Sequence, residues 1–179
     1  MSQYSYSPLP SGSDSIRLLR LMPHKDETAN IQCELFEYPL QNLYGTHLYE
    51  ALSYVWGDSD EKLPIFIQKD SFNVTVNLHA ALSRLRNHSI ERILWVDAIC
   101  IDQTNQKEKE HHLQFMGKIY GQANRVTVWL GEAEDDSNQA LEAIRTVAED
   151  ESTDISNNSQ KAIFALLQRR WFERIWVSG

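Results

Sequence analysis

The pattern of apolar residues between residues 92 and 132 predicts a strand, a helix and a second strand in succession. Residues 93–96, Ile-Leu-Trp-Val, form a continuous apolar run, which is typical of a parallel strand buried on both faces. Asn105 and Glu108 have the spacing of a helix capping box, and apolar residues then recur at helical intervals. Residues 126–130 form the second apolar run. The sequence therefore predicts a βαβ unit, whose two strands lie side by side and run in the same direction.

Turn residues separate further apolar segments along the chain. They predict a ribbon of two strands (16–21 and 31–36) at an antiparallel edge of the sheet, a central strand (51–56), a hairpin (64–67 and 72–76), a helix capped by Asn77, and helices starting at Ser137 and Ser159. The predicted fold is a single α/β domain over residues 16–177, with a mainly parallel central sheet, helices on both faces and an antiparallel β-hairpin appendage. Residues 1–15 are predicted to be a flexible lead.

Composition and charge narrow the class of protein. The chain has 179 residues, of which 42% are hydrophobic, so it can bury a substantial core. The net charge of −8 argues against sequence-independent nucleic-acid binding, which needs clustered lysine and arginine. No apolar run reaches the roughly 20 residues of a membrane span, and the N-terminus lacks a secretory pattern. We therefore expect a cytoplasmic protein in which Cys33 and Cys100 are buried free thiols.

The candidate chemistry lies where the predicted parallel strands end. Asp97 directly follows the first apolar run, and we expect it to meet Asp102 and Glu132 at the carboxyl edge of the sheet, where ligands gather. Asp97 also has a structural alternative, in which it accepts backbone amides of the 98–102 turn. Asp97 and Glu132 are the candidate catalytic carboxylates, and Asp102 is a candidate ligand-binding residue.

Residues at the end of the strand over 51–56 are further candidates for ligand binding. Tyr54 and Trp56 either belong to the core and its rim or form the wall of a pocket beside Gly57. Ser53 either orients a ligand hydroxyl or bonds to the backbone.

Other chemistries find no support in the residue pattern. His111 and His112 are adjacent on a helix and point to different sides, and Phe115 and Met116, one turn later, are not metal ligands. No histidine neighbours Cys100 in the sequence to activate it as a nucleophile. A glycine-rich phosphate loop is also missing from the sequence, so we predict no metal and no bound cofactor.

Four blocks of the sequence together resemble a known family. They read YEALSYVWG (49–57), LWVDAICIDQ (94–103), MGKIYGQANRVTVWLG (116–131) and RWFERIWV (170–177). In this order they resemble the fungal heterokaryon incompatibility (HET) domain. The resemblance implies a cytosolic domain that triggers programmed cell death when genetically different fungal cells fuse. It also implies protein partners, or self-association through a sensor module.

HET domains in turn resemble Toll/interleukin-receptor (TIR) domains, which have a flavodoxin-like three-layer fold and some of which cleave NAD. The resemblance places Ser53 and Tyr54 in the motif of the first strand and Asp97 in an acidic loop, with NAD as a candidate substrate. Family members usually continue beyond the final Trp-Val to a Gln-Glu pair, whereas Val177 is followed here by Ser178 and Gly179. The resemblance therefore implies a missing catalytic glutamate and a truncated chain. The alternative is a non-catalytic module that signals by homotypic assembly.

The segment over 169–177 has two interpretations. Its apolar residues either close the core as a last helix or form an exposed patch for partner docking; they are Trp171, Phe172, Ile175 and Trp176.

Overall fold

A computed structural model describes residues 2–10, 14–40, 47–150 and 152–173. The chain forms two compact units, Met1–Trp129 and Leu130–Gly179, and the predicted single domain over 16–177 spans both.

The first unit is built on a sheet whose seven described strands are parallel at one end and mixed in direction over the rest. The strands are β1 (Ser15–Leu21), β2 (Gln32–Pro39), β3 (His47–Tyr54), β4 (Lys62–Ile67), β5 (Asp70–Thr75), β6 (Arg92–Trp95) and β7 (Ala123–Trp129). Their spatial order is β5-β4-β2-β1-β6-β3-β7. Strands β6, β3 and β7 are parallel, β1 is antiparallel to both β2 and β6, and the hairpin β4–β5 joins the sheet by parallel pairing of β4 with β2.

Two predictions about strand placement are wrong. Strands β6 and β7 run in the same direction, as predicted, but they are not neighbours, because β3 lies between them. The ribbon β1–β2 does not form an edge, because β1 pairs with β6 on its other side. Burial gives the physical reason: β1 and β3 are each buried along almost their whole length, which favours positions with a neighbour on both sides.

Helices cover both faces of the sheet. The first unit contains α1 (Val76–Leu85), the short α2 (Asp97–Cys100) and α3 (Gln106–Gln122). Tyr49 donates its hydroxyl hydrogen to the carbonyl of Ile119 in α3, whereas Trp129 donates its indole N–H to Asn77 in α1. Trp129 is in register with Tyr54, which lies on the opposite face of β3 from Tyr49 because side chains alternate along a strand. The result is a helix–sheet–helix arrangement.

The caps of these helices differ in part from the prediction. Thr75, not Asn77, caps α1, because its hydroxyl accepts the N–H of Leu78. Asn105 caps α3 as predicted, with its side chain accepting the N–H of Glu108. The side chain of Asn77 does not cap the helix and instead bonds to Val55 and Trp129.

Part of the predicted flexible lead is bound to the first unit. The N–H of Tyr4 donates to the carbonyl of Ser71 over 3.0 Å, and the ring of Tyr4 packs edge-on against Phe72. The hydroxyl of Tyr6 donates to the carbonyl of Ile99 in α2 over 2.8 Å. Residues 2–6 therefore contact β5 and α2, and the flexibility of residues 1–15 stays a prediction.

The second unit is a pair of helices, α4 (Ser137–Glu149) and α5 (Asn157–Leu167), followed by a 3₁₀ turn over Arg170–Glu173. The pair packs around the buried Ala140, Ala162 and Leu166. Trp171 and Phe172 are half-buried and contact each other edge-to-face, with ring centroids 5.1 Å apart. Ile175 and Trp176, predicted with them to close the core or form a patch, lie outside the described residues.

Candidate functional site

The carboxyl ends of β3 and β6 meet through a tryptophan and an aspartate. Trp56, two residues beyond β3, donates its indole N–H to Oδ2 of Asp97 over 3.1 Å. Oδ1 of Asp97 accepts the N–H of Ala98 over 2.8 Å, so the amide contact predicted as a structural alternative is present. Asp97 is half-buried, and 44% of the Trp56 surface is exposed. The site is therefore a fixed carboxylate beside an accessible aromatic ring, which we call the Trp56–Asp97 pair.

Asn77 fixes the chain next to this pair. Its side-chain N–H donates to the carbonyl of Val55 over 2.6 Å, and its Oδ1 accepts the indole N–H of Trp129 over 2.9 Å. Gly57 has a φ of 76°, and a Cβ at that position would lie 3.2 Å from Cβ of Asn77. Sequence reasoning missed this residue, because its partners come from two strands that are distant in sequence and no local motif marks them.

A buried ion pair holds the loop that carries Asp97. The Arg17 guanidinium binds both carboxylate oxygens of Glu108, at 2.5 and 3.3 Å, and only 5% and 10% of the two side chains are exposed. Oε1 of Glu108 also accepts the N–H of Asp102 over 2.8 Å, and Arg17 donates to the carbonyls of Cys100 and Ser7. Glu108 thus turns away from the capping-box partner predicted for it and ties α2 and the following loop to β1.

The candidates Asp102, Ser53 and Tyr54 bond within a turn or are buried in the sheet. The Asp102 carboxylate accepts the N–H and the hydroxyl of Thr104, at 2.9 and 2.7 Å, and so forms a turn before α3. Ser53 and Tyr54 are only 6% and 1% exposed, and their side chains point to opposite faces of the sheet. Among the predicted ligand residues, Trp56 and Gly57 are exposed, and Trp56 is bonded to Asp97.

Glu132 belongs to the second unit, and its meeting with Asp97 stays a prediction. The loop around Glu132 is held by Arg169, whose guanidinium donates to the carbonyls of Leu130, Glu132 and Glu134, at 3.0, 3.1 and 3.0 Å. The backbone of Glu132 thus has a defined partner, while its side chain is exposed.

A buried carboxylate, that of Glu50, connects the three parallel strands. Glu50 of β3 is only 8% exposed. Burial raises its pKa, but hydrogen bonds from Arg92 and Thr127, together with the charges of Arg92 and Arg125, outweigh burial and hold the pKa below its usual value. The ionised carboxylate joins β6 to β7 across the strand between them.

Cys100 and His112 are poor candidates for chemistry. Burial raises the pKa of the Cys100 thiol to about 12, so the thiol stays protonated at neutral pH and is not a nucleophile. His112 is 1% exposed, its Nδ1 lies 2.9 Å from the carbonyl of Glu108, and burial lowers its pKa. Within the described ranges, no three His, Cys, Asp or Glu side chains are grouped to hold a metal ion. The helices in those ranges also include none long and apolar enough to cross a bilayer.

Comparison with known proteins gives two matches. The family model described as heterokaryon incompatibility protein (HET) matches residues 49–178. Heterokaryon incompatibility protein 6, OR allele, from Neurospora crassa is 31% identical to the chain over 185 aligned residues. The alignment covers 96% of this chain but 27% of that protein, so the chain spans about a quarter of its relative's length. No solved structure matches the chain, and the resemblance to TIR domains stays a prediction. The family model covers more than half of the sequence and includes the Trp56–Asp97 pair, and the chain therefore belongs to the heterokaryon incompatibility (HET) family.

Proposed function

We propose that this chain is an effector domain of fungal heterokaryon incompatibility, which works in the cytosol and triggers programmed cell death after activation by a protein partner or a sensor module. Support comes from the family and from the name of the Neurospora crassa relative. That relative is almost four times as long as the aligned segment, which leaves room for a sensor module outside the part that this chain resembles.

For its chemistry we propose cleavage of NAD at the Trp56–Asp97 pair. Water attacks the anomeric carbon of the ribose as the C–N bond to nicotinamide breaks, which yields nicotinamide, ADP-ribose and a proton. The transition state carries positive charge on the sugar, and a carboxylate held nearby lowers its energy. The carrying observation is that the Asp97 carboxylate is fixed by Trp56 and Ala98 beside a half-exposed indole. The indole offers a flat face on which the nicotinamide or adenine ring stacks.

The test is incubation of the purified chain with NAD, with chromatography of free nicotinamide. We expect Asp97→Asn to reduce the rate by about 10²–10³-fold, the usual effect of losing one electrostatic contact to a transition state. Glu110→Gln, an exposed position on α3, is the matched control and is expected to keep the rate. A separate Glu132→Gln variant tests the other predicted catalytic carboxylate in the same assay. If neither the chain nor a longer form that is forced to oligomerise releases nicotinamide, the enzymatic proposal fails.

A second candidate function is non-catalytic signalling by homotypic assembly. The observation that favours it is β7, the last strand of the sheet, where Val126 and Val128 are 47% and 41% exposed. Exposed apolar residues on an edge strand favour pairing with another chain. The variant Val126→Lys/Val128→Lys should then abolish any concentration-dependent oligomer seen by light scattering. An oligomer that persists in this variant argues against β7 as the assembly surface.

A further inference from the structure

We infer that Asn77 is a positioning residue, which holds Trp56 in the orientation that meets Asp97. The inference rests on the proposed function of the Trp56–Asp97 pair, and it adds a residue that touches neither the carboxylate nor, in the proposed reaction, the substrate.

Asn77 restrains the chain on both sides of Trp56. On one side, its side-chain N–H holds the carbonyl of Val55 at 2.6 Å. On the other side, its Cβ abuts Gly57, where an added Cβ would come within 3.2 Å of it. The residue between these two contacts has little freedom to move its backbone, which places the Trp56 side chain where its indole N–H reaches Oδ2 of Asp97.

The amide of Asn77 is itself held in one orientation. Oδ1 accepts the indole N–H of Trp129, at the end of β7, over 2.9 Å. Because an amide has its acceptor and its donor on opposite branches, this bond leaves the NH₂ group directed at Val55. One side chain therefore sets the end of β3 relative to the end of β7, while Trp56 links the end of β3 to that of β6.

Helix formation does not explain the presence of asparagine here. Asn77 lies in the first turn of α1, where Thr75 already supplies the cap by accepting the N–H of Leu78. Asparagine is a weak helix former, because its side chain competes for backbone hydrogen bonds. Its two side-chain contacts beyond the helix are the feature that favours it at this position.

The test compares Asn77→Asp with Asn87→Asp. Asn77→Asp keeps the shape and the acceptor for Trp129 but places an oxygen against the carbonyl of Val55. Asn87 lies just after α1 and uses its Oδ1 as an acceptor for the N–H groups of Ser89 and Ile90, which aspartate preserves. We expect Asn77→Asp to move the ¹H–¹⁵N indole signal of Trp56, assigned with Trp56→Phe, and Asn87→Asp to leave it in place.

The kinetic readout is kcat and KM for NAD, measured separately and combined as kcat/KM. Misplacement of a group at the site lowers kcat/KM, and we expect Asn77→Asp to lower it by roughly tenfold to a hundredfold. If the unaltered chain does not cleave NAD, the proposed function fails, and the indole signal still decides the role of Asn77. An unmoved Trp56 signal in Asn77→Asp overturns the inference, whatever the activity. If that variant does not fold, Trp129→Phe removes the bond that orients the amide, together with part of a ring that packs against the core. It should move the same signal by a smaller amount, and an unmoved signal there also overturns the inference.

Discussion

Removal of the Glu108 carboxylate should destabilise the first unit more than removal of any exposed charge on the same helix does. Glu108→Ala deprives the Arg17 guanidinium of two contacts, at 2.5 and 3.3 Å, and deprives the N–H of Asp102 of its acceptor at 2.8 Å. The Arg17 side chain is only 5% exposed, so water cannot replace the lost contacts fully. The matched control is Glu110→Ala, whose carboxylate is exposed and accepts from Gln106 of the same helix.

The expected loss follows from burial and from the contacts that survive. Breaking one partner of a buried ion pair costs about 3–5 kcal/mol, because it leaves an uncompensated charge in a low-dielectric interior. Arg17 keeps the carbonyls of Ser7 and Cys100, at 2.7 and 3.3 Å, which places the expected loss near the lower end, at about 3 kcal/mol. Native stability is usually about 5–15 kcal/mol, so this is a large fraction of the total. Glu110→Ala should cost less than about 0.5 kcal/mol.

The assay is urea unfolding at neutral pH, followed by far-ultraviolet circular dichroism. In thermal melts of the same variants, a loss of about 3 kcal/mol corresponds to a fall of roughly 6–12 °C in Tm for a chain of this size. Glu108→Gln, which keeps the shape and removes the charge, should fall between the two alanine variants. If Glu108→Ala and Glu110→Ala lower the unfolding free energy equally, the ion pair does not hold the loop, and the reasoning is refuted.

Three further predictions concern residues around the site. Burial lowers the pKa of His112, so the unfolded chain takes up a proton that the native state excludes, and stability should fall as the pH drops from about 7 towards 5. In thermal melts, His112→Gln should flatten this dependence of stability on pH, and equal slopes in the two proteins would contradict the assignment. Gly57→Ala should lower the free energy of unfolding in urea by about 1–2 kcal/mol, because Gly57 has a φ of 76° and the Cβ of Asn77 lies close to an added Cβ. Gly117→Ala has open space around an added Cβ and should stabilise α3 by up to about 1 kcal/mol, so equal effects of the two changes would refute this account. Glu50→Gln should cost about 2 kcal/mol at neutral pH, and the difference from the unaltered chain should shrink as the pH falls through the lowered pKa of Glu50; a difference that is independent of pH would count against the ionised form.

Local patterns predicted much of the parallel part of the fold. The apolar run of β6, the cap at Asn105 and the amphipathic α3 each depend on residues close in sequence, and all three are present. The same locality placed Asp97 at the end of a buried strand. Strand order was not predictable in this way, because the neighbours of β3 are chosen by burial and pairing across long stretches of chain.

The site was predicted only in part for the same reason. Trp56 and Asp97 were recognised separately, since each follows an apolar strand, but the bond between them depends on β3 and β6 being neighbours. Asn77 and Arg17 were missed, because their partners are set by the folded chain and not by spacing. A polar residue at an apolar or already capped position is the one signal that could have marked them: Arg17 interrupts a strand, and Asn77 follows a threonine that caps the helix.

The position of β3 between β6 and β7 has a consequence for biosynthesis. On the ribosome, β3 emerges before both of its neighbours. Its apolar side chains and its backbone hydrogen-bonding groups are therefore unpaired until β6 and β7 have been synthesised. Sheets closed by such distant pairings nucleate slowly, and the waiting segment is prone to associate with other nascent chains. We expect this chain to depend on chaperones during synthesis more than a protein whose sheet is assembled from successive hairpins.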